Sequence, residues 1–234
     1  MDFTEGRRKR GRSREGVADN HTSTGTGSLN TAQSIASVLR EQILTGQLAP
    51  CTRVTQRDLA AQFGRSPMPA RDAVKILLAE GLVVQESSKT IVVAPVTLDG
   101  FVEIMDLRGV LEPHALELSI PRLSTEQFAE ARAVLALSGT SDCTREMAAN
   151  HWAFHRILYS GCSRSRLLSL IEQQHNLLVR YMLPEWAMLG VMKHWGDDEL
   201  ELMELVEQRR VPEAADWLRR DLKLAADRVI RPGR

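Results

Sequence analysis

Residues Thr55 to Leu82 read TQRDLAAQFGRSPMPARDAVKILLAEGL. Leu59, Ala60 and Phe63 give a short first helix an apolar stripe, and Gly64 ends it in the left-handed conformation that favours glycine. Ser66 then offers an N-cap hydroxyl to a second helix. Ala70, Ala73, Val74 and Leu77 recur at three- and four-residue steps, so one face of that helix packs. The other face carries Ser66, Arg71 and Lys75. Two helices joined by so short a turn, the second exposing cations, predict a helix-turn-helix whose second helix enters the major groove of double-stranded DNA. An ordinary αα-hairpin would share the apolar steps.

The flanks extend this reading. Gly81 closes the second helix. Residues 82–85 and 90–94 are short β-branched runs around the polar turn Glu86-Ser87-Ser88-Lys89, which predicts a hairpin and hence a winged helix. Upstream, Ile35, Val38, Leu39 and Ile43 mark a helix over Thr31–Leu48, ended by Gly46. Residues 1–30 combine Arg7, Arg8, Lys9, Arg10, Arg12 and Arg14 with a Gly/Ser/Thr/Asn stretch. Too little apolar surface is present to offset ordering entropy, so a disordered basic arm is expected. Such an arm either tracks DNA phosphates or is simply solvated.

The words LREQILTGQLAP, RDLAAQFGRS and PARDAVKILLAEGLV, then the strand ending in APVT, stand in order, and the resemblance they carry covers residues 38–95. They resemble the DNA-binding domain of the GntR family of bacterial transcription regulators. The resemblance implies DNA contacts by Arg57, Ser66 and Arg71. Two departures stand out. Pro67 replaces the family's usual arginine after Ser66, and Thr90 replaces a wing glycine. Both imply an altered sequence code. Lys75 and Lys89 read either as phosphate contacts or as solvated lysines.

Beyond Thr97 strand signals vanish, and helical periodicity runs to Ile230. Helices are expected from Leu98 through Leu118 (with Pro113 a kink), from Ser124, and over about 144–160, 165–183, 197–209 and 212–230. The fold class is therefore mainly α, an N-terminal winged helix-turn-helix at residues 31–96 followed by an all-α helical bundle at 97–234. The words DLRGVLEPHALEL and HWAFHRILYSG resemble the FadR-like subfamily, whose bundle is an FCD-type ligand-sensing and dimerisation domain.

Within the bundle, His151 and His155 share a helix face at the i, i+4 spacing of a metal-binding pair. Glu199 lies on a stripe with Leu202, Met203 and Val206, and Asp221 on one with Ala214, Leu218 and Ala225. A carboxylate on an apolar stripe needs a partner, because burying it alone is costly. Two histidines and two carboxylates would resolve that by holding a divalent cation such as Zn, Mn or Ni. The alternatives are a polar core pair of histidines and carboxylates that snorkel or cap. The family resemblance implies the same site, with His151 in place of its aspartate and Glu199 and Asp221 near two of its histidines. A one-residue ambiguity before Pro212 leaves Leu200 as an alternative to Glu199.

Arg108 resembles the family's effector-pocket arginine, and its guanidinium either forks onto a carboxylate ligand or pairs with Glu112 one turn on. Arg180 is a second candidate for the effector. Trp152, Trp186 and Trp195 are expected in the core.

Composition sets the outer limits. The net charge is +0 over 234 residues, so nucleic-acid binding must rest on local asymmetry. Three scattered cysteines without CxxC spacing read as reduced thiols of a cytoplasmic protein, and no apolar run reaches membrane-span length. HWAFH has the histidine spacing of zinc proteases, but Trp152 follows the first histidine, where the glutamate base belongs. The expected function is a non-enzymatic, homodimeric regulator of operator DNA, tuned by a small-molecule effector, an organic acid if the metal is present. A metal-dependent hydrolase carrying a winged helix is the alternative.

Overall fold

The computed structural model describes residues 24–137, 140, 143–189 and 195–230. The arginines of the basic arm lie outside them, as do the side chains of Trp186 and Trp195. Helix α1 spans Thr24–Leu44, so it starts seven residues earlier than the sequence reading expected, inside the stretch assigned to the arm. Strand β1 (Arg53–Thr55) leads into α2 (Gln56–Gln62) and α3 (Pro67–Ala79), and β2 (Val83–Gln85) and β3 (Thr90–Val93) follow as the wing.

The turns form as the glycines require. Gly64 sits at φ +57°, and Arg65 N–H reaches back to the Ala60 carbonyl at 3.0 Å. Gly81 sits at φ +71°, with Leu82 N–H on the Leu77 carbonyl. Thr55 caps α2 by accepting from Asp58 N–H at 3.1 Å. Ser66 behaves differently from the expectation. It holds the N-cap position of α3, but its hydroxyl makes no capping bond. The third residue of α3 is Pro69, which has no N–H to give.

Leu59, Ala70, Ala73, Val74 and Leu77 form the winged-helix core with Ile35, Leu39 and Ile43 of α1 and Leu82, Ile91 and Val93 of the wing. The sheet order is β1-β3-β2, antiparallel throughout, with Val54 opposite Ile91 and Val84 opposite Val92. Strand β1 was not foreseen, because three residues carry no periodicity of their own.

Six further helices make the second unit among the described residues. They are α4 (Leu98–Ser119), α5 (Thr125–Leu135), α6 (Thr144–Tyr159), α7 (Ser165–Leu189), α8 (Trp195–Glu207) and α9 (Val211–Ile230). Pro113 lies within α4 and does not end it. Ser124 and Gln127 open α5 with a reciprocal capping box. Phe101, Leu116, Phe154, Leu158, Ile171, Leu202, Met203 and Leu218 are fully buried where the helices meet.

Helix α7 ties the two units together. Gln173 Nε2 donates to the Ala79 carbonyl at the end of α3 (2.9 Å), Leu177 packs into the winged-helix core, and Arg180 donates to the Ala94 carbonyl just after β3. An Arg145–Glu41 ion pair (2.8 Å) adds a bridge from α6 to α1. No described helix is long and apolar enough to cross a membrane, and Cys51, Cys143 and Cys162 form no disulfide.

Candidate metal centre and DNA-reading face

Two successive turns of α6 present His151 and His155 inward, and the first part of α8 presents Glu199. Glu199 Oε1 lies 3.2 Å from His151 Nε2 and 3.0 Å from His155 Nε2, and the two imidazole nitrogens are 3.2 Å apart. An imidazole Nε2 offers one in-plane proton or lone pair, so three edges of one triangle cannot all be good hydrogen bonds. A cation at the usual distance of about 2.0–2.1 Å separates its ligands by about 3.0 Å at octahedral angles and about 3.4 Å at tetrahedral ones. The observed edges fall in that range. Glu199 Oε2 is buried and has no hydrogen-bond partner among the described residues. Leaving such an atom unsatisfied is costly, and a cation would remove the cost. The donor set thus fits a divalent cation. Glu199 is 2% exposed and Leu200 is 43% exposed, which resolves the one-residue ambiguity in favour of Glu199.

The network behind the triangle orients it. Tyr159 O–H donates to Glu112 Oε2 at 2.9 Å, and His155 Nδ1 lies 3.2 Å from the same phenol oxygen. With the phenol proton committed to Glu112, His155 Nδ1 can donate to the phenol oxygen, which would leave its Nε2 free to turn a lone pair on a cation at the centre of the triangle. Arg108 completes the chain, its Nε donating to Glu112 Oε1 at 2.6 Å and its Nη2 to Oε2 at 3.3 Å. Of the two sequence readings of Arg108, the structure therefore shows the ion pair with Glu112. Both partners are buried, Glu112 completely.

The electrostatics follow from this packing. Burial alone would raise the Glu199 carboxyl, but the charges and hydrogen bonds of His155 and His151 hold it down at about 2. Burial lowers the pKa of His151, with Glu199 only partly opposing. Burial also works against the His155 cation, yet Glu199 prevails and raises its pKa. For Arg108, Glu112 above all, with Tyr159 and Asp221, outweighs burial and keeps the guanidinium charged.

Two expected members of the site stand outside the triangle of ligand atoms. Asp221 is not part of the triangle of ligand atoms; on α9 it lies near enough to Arg108 to favour its charge. Arg180 is not beside Arg108, because its guanidinium is committed to the Ala94 carbonyl at the junction of the two units. One residue was missed. His175 of α7 is buried and stacks face to face on Trp152 at 3.9 Å. Burial first, then Arg108 and the two other histidines, push its pKa well down, so it stands as a neutral imidazole beside the cluster. Trp152 itself is half-buried and packs against the core, as expected.

On the winged helix, Arg57, Ser66, Arg71, Lys75 and Lys89 are all exposed. Lys75 pairs with Asp72 at 2.8 Å. Arg65, between Gly64 and Ser66, is also exposed. Met68 is 63% exposed at the start of α3, where the proline-flanked segment meets solvent.

Comparison with known proteins decides the family. Residues 31–93 match the family of bacterial regulatory proteins named gntR, and residues 103–224, more than half of the chain, match the FCD domain. The chain belongs to the GntR family, in its FCD-bearing branch. Among relatives of this GntR regulator, the HTH-type transcriptional repressor GlaR of Escherichia coli K12 is 27% identical over 150 residues, covering 61% of this chain and 68% of that protein. The HTH-type transcriptional regulator YdhC of Bacillus subtilis is 26% identical over 179 residues, with 74% and 75% covered. A GntR-family regulator of solved structure from Pseudomonas syringae pv. tomato is 30% identical, with 85% and 86% covered and a TM-score of 0.50. The solved structure of E. coli McbR/YncC shares the fold at 18% identity, with 83% and 94% covered and a TM-score of 0.69. This GntR protein is a DNA-binding transcriptional regulator with a C-terminal effector-binding domain. Its relatives are regulators and not enzymes, and nothing in them favours the hydrolase alternative.

Proposed function

We propose that the regulator is a cytoplasmic homodimer whose FCD domain holds a divalent cation (Zn, Mn or Ni) on His151, His155 and Glu199, and that a small organic acid acts as its effector. The observation that carries this is the triangle of ligand atoms with the orphaned Glu199 Oε2 beside it. Three protein ligands leave coordination positions open, and a bound cation would supply a Lewis-acidic seat for an effector carboxylate. Arg108 serves this reading indirectly. Through Glu112 and Tyr159 it fixes the ring of His155, since partners behind a ligand set its orientation.

In the same reading, Arg57, Arg65 and Arg71, with the N-terminus of α3 at Ser66, meet the operator, and Lys75 and Lys89 meet flanking phosphates. One recognition helix reads a half-site, so a two-fold operator requires two copies. Helix α7 carries His175 beside the cluster and Gln173, Leu177 and Arg180 against the winged helix, a route by which effector occupancy reaches α3.

The experiment is the metal content of untagged wild type, His155→Ala and Glu199→Ala by mass spectrometry. One equivalent in wild type, lost in both variants with their helical content retained, is expected. Equal metal in all three removes the site.

A further inference from the structure

The first turn of α3 is poor in hydrogen-bond donors. A helix opens with backbone N–H groups that have no partner within the helix, and these are free to meet phosphates or base acceptors. In α3 they would belong to Ser66, Pro67, Met68 and Pro69. Proline has no N–H, so Pro67 and Pro69 contribute none. The two prolines differ in packing. Pro69 is buried under the helix, whereas Pro67 is exposed. Between them Met68 is 63% exposed, the most open large apolar side chain of the winged helix among the described residues.

The face on which Met68 lies narrows what it can meet. Met68, Arg71 and Lys75 follow one another at three- and four-residue steps, and all three are exposed. The opposite stripe, Ala70, Ala73, Val74 and Leu77, is buried in the winged-helix core. Met68 therefore shares the solvent face of α3 with its cations, at the N-terminal end from which a recognition helix reaches base edges. The major groove presents acceptors, amino donors and one apolar group, the 5-methyl of thymine. A thioether beside a proline ring has no proton for the acceptors, and its sulfur is a weak acceptor. It gains most from covering the methyl, and an unbranched, flexible side chain can follow that group closely.

We propose that Met68 is a specificity-determining residue of α3 that reads the 5-methyl group of one thymine in each operator half-site. The inference rests on the docking of α3 proposed above, and it adds the base and the kind of contact. Arg71, one turn further along the same face, supplies the charged contact, and Met68 supplies an apolar one that hydrogen bonds cannot replace.

Duplexes selected from a random pool by the full-length wild type supply the operator for the test. Deoxyuridine then replaces each thymine in turn, which removes the 5-methyl and keeps the pairing. Affinity is read by fluorescence anisotropy at fixed salt. At one thymine per half-site, the replacement should weaken wild type about fourfold, the worth of one buried methyl. The same replacement should leave Met68→Ala and Met68→Gln unaffected, and Met68→Leu, which keeps an apolar side chain, should still respond to it. The side chain is exposed in the free protein, so all three variants should match wild type in circular dichroism. A selected half-site without thymine on either strand overturns the inference. So does a set of replacements that never separates wild type from Met68→Ala while Arg71→Ala weakens binding more than about tenfold, and in that case the docking of α3 stands. Affinity unchanged in both Arg71→Ala and Met68→Ala overturns the docking and the inference together.

Discussion

Arg108→Met isolates the ion pair at the centre of the bundle. Methionine keeps much of the side-chain volume and removes the charge. The carboxylate it leaves behind, Glu112, is 0% exposed and, among the described residues, retains the Tyr159 hydroxyl at 2.9 Å as its donor. Removing one partner of a fully buried pair costs about 3–5 kcal/mol, because an uncompensated charge remains. In a chain of this length that corresponds to a fall in Tm of roughly 6–20 °C. The second substitution makes the test specific. In Arg108→Met/Glu112→Gln no buried charge is stranded, and the amide oxygen still accepts from Tyr159. The double variant should therefore recover most of the loss and lie within about 1–2 kcal/mol of wild type. Urea unfolding followed by far-UV circular dichroism, on metal-stripped protein, reads both. A single variant less than about 1 kcal/mol below wild type would refute the reasoning, as would a double variant no better than the single.

Further predictions follow from other contacts. Tyr159→Phe removes the hydroxyl between His155 and Glu112, and should weaken metal affinity about 10–100-fold with the fold retained, read by competition with a chelating dye. Gly161→Ala places a Cβ 2.6 Å from the Ser119 carbonyl oxygen, a backbone atom that cannot yield cheaply; a loss of about 1–3 kcal/mol in urea unfolding is expected. Arg71→Ala should weaken binding to a selected operator by more than about tenfold at moderate salt, measured by fluorescence anisotropy. Deleting residues 1–23 should leave the circular dichroism spectrum unchanged and flatten the dependence of log K on log salt; an unchanged slope removes the arm from the interface.

The parts legible in the sequence were those written locally. Gly64 and Gly81 announce their turns because left-handed backbone favours glycine, and the apolar steps of α3 need no partner to be read. His151 and His155 share a face by helical spacing alone. Glu199 was legible for a different reason, a carboxylate on an apolar stripe that has to be partnered. What stayed hidden depends on contacts distant in sequence. Strand β1 exists only because β3 pairs with it. Arg180 and Arg108 are both arginines on apolar helices, and nothing near Arg180 tells that its partner is the Ala94 carbonyl 86 residues away. His175 reads as an unremarkable helix residue until α6 brings Trp152 onto its ring. The Ser66 cap was misjudged for a local reason, since Pro69 removes the donor it would have served.

The most direct test of the central claim is an anomalous-diffraction map from crystals of the untagged protein, collected at the absorption edge of whichever metal copurifies. A single peak about 2.0–2.2 Å from His151 Nε2, His155 Nε2 and a Glu199 oxygen is predicted. A metal-replete crystal with its peak anywhere else, or with Glu199 turned away from both histidines, would contradict the account.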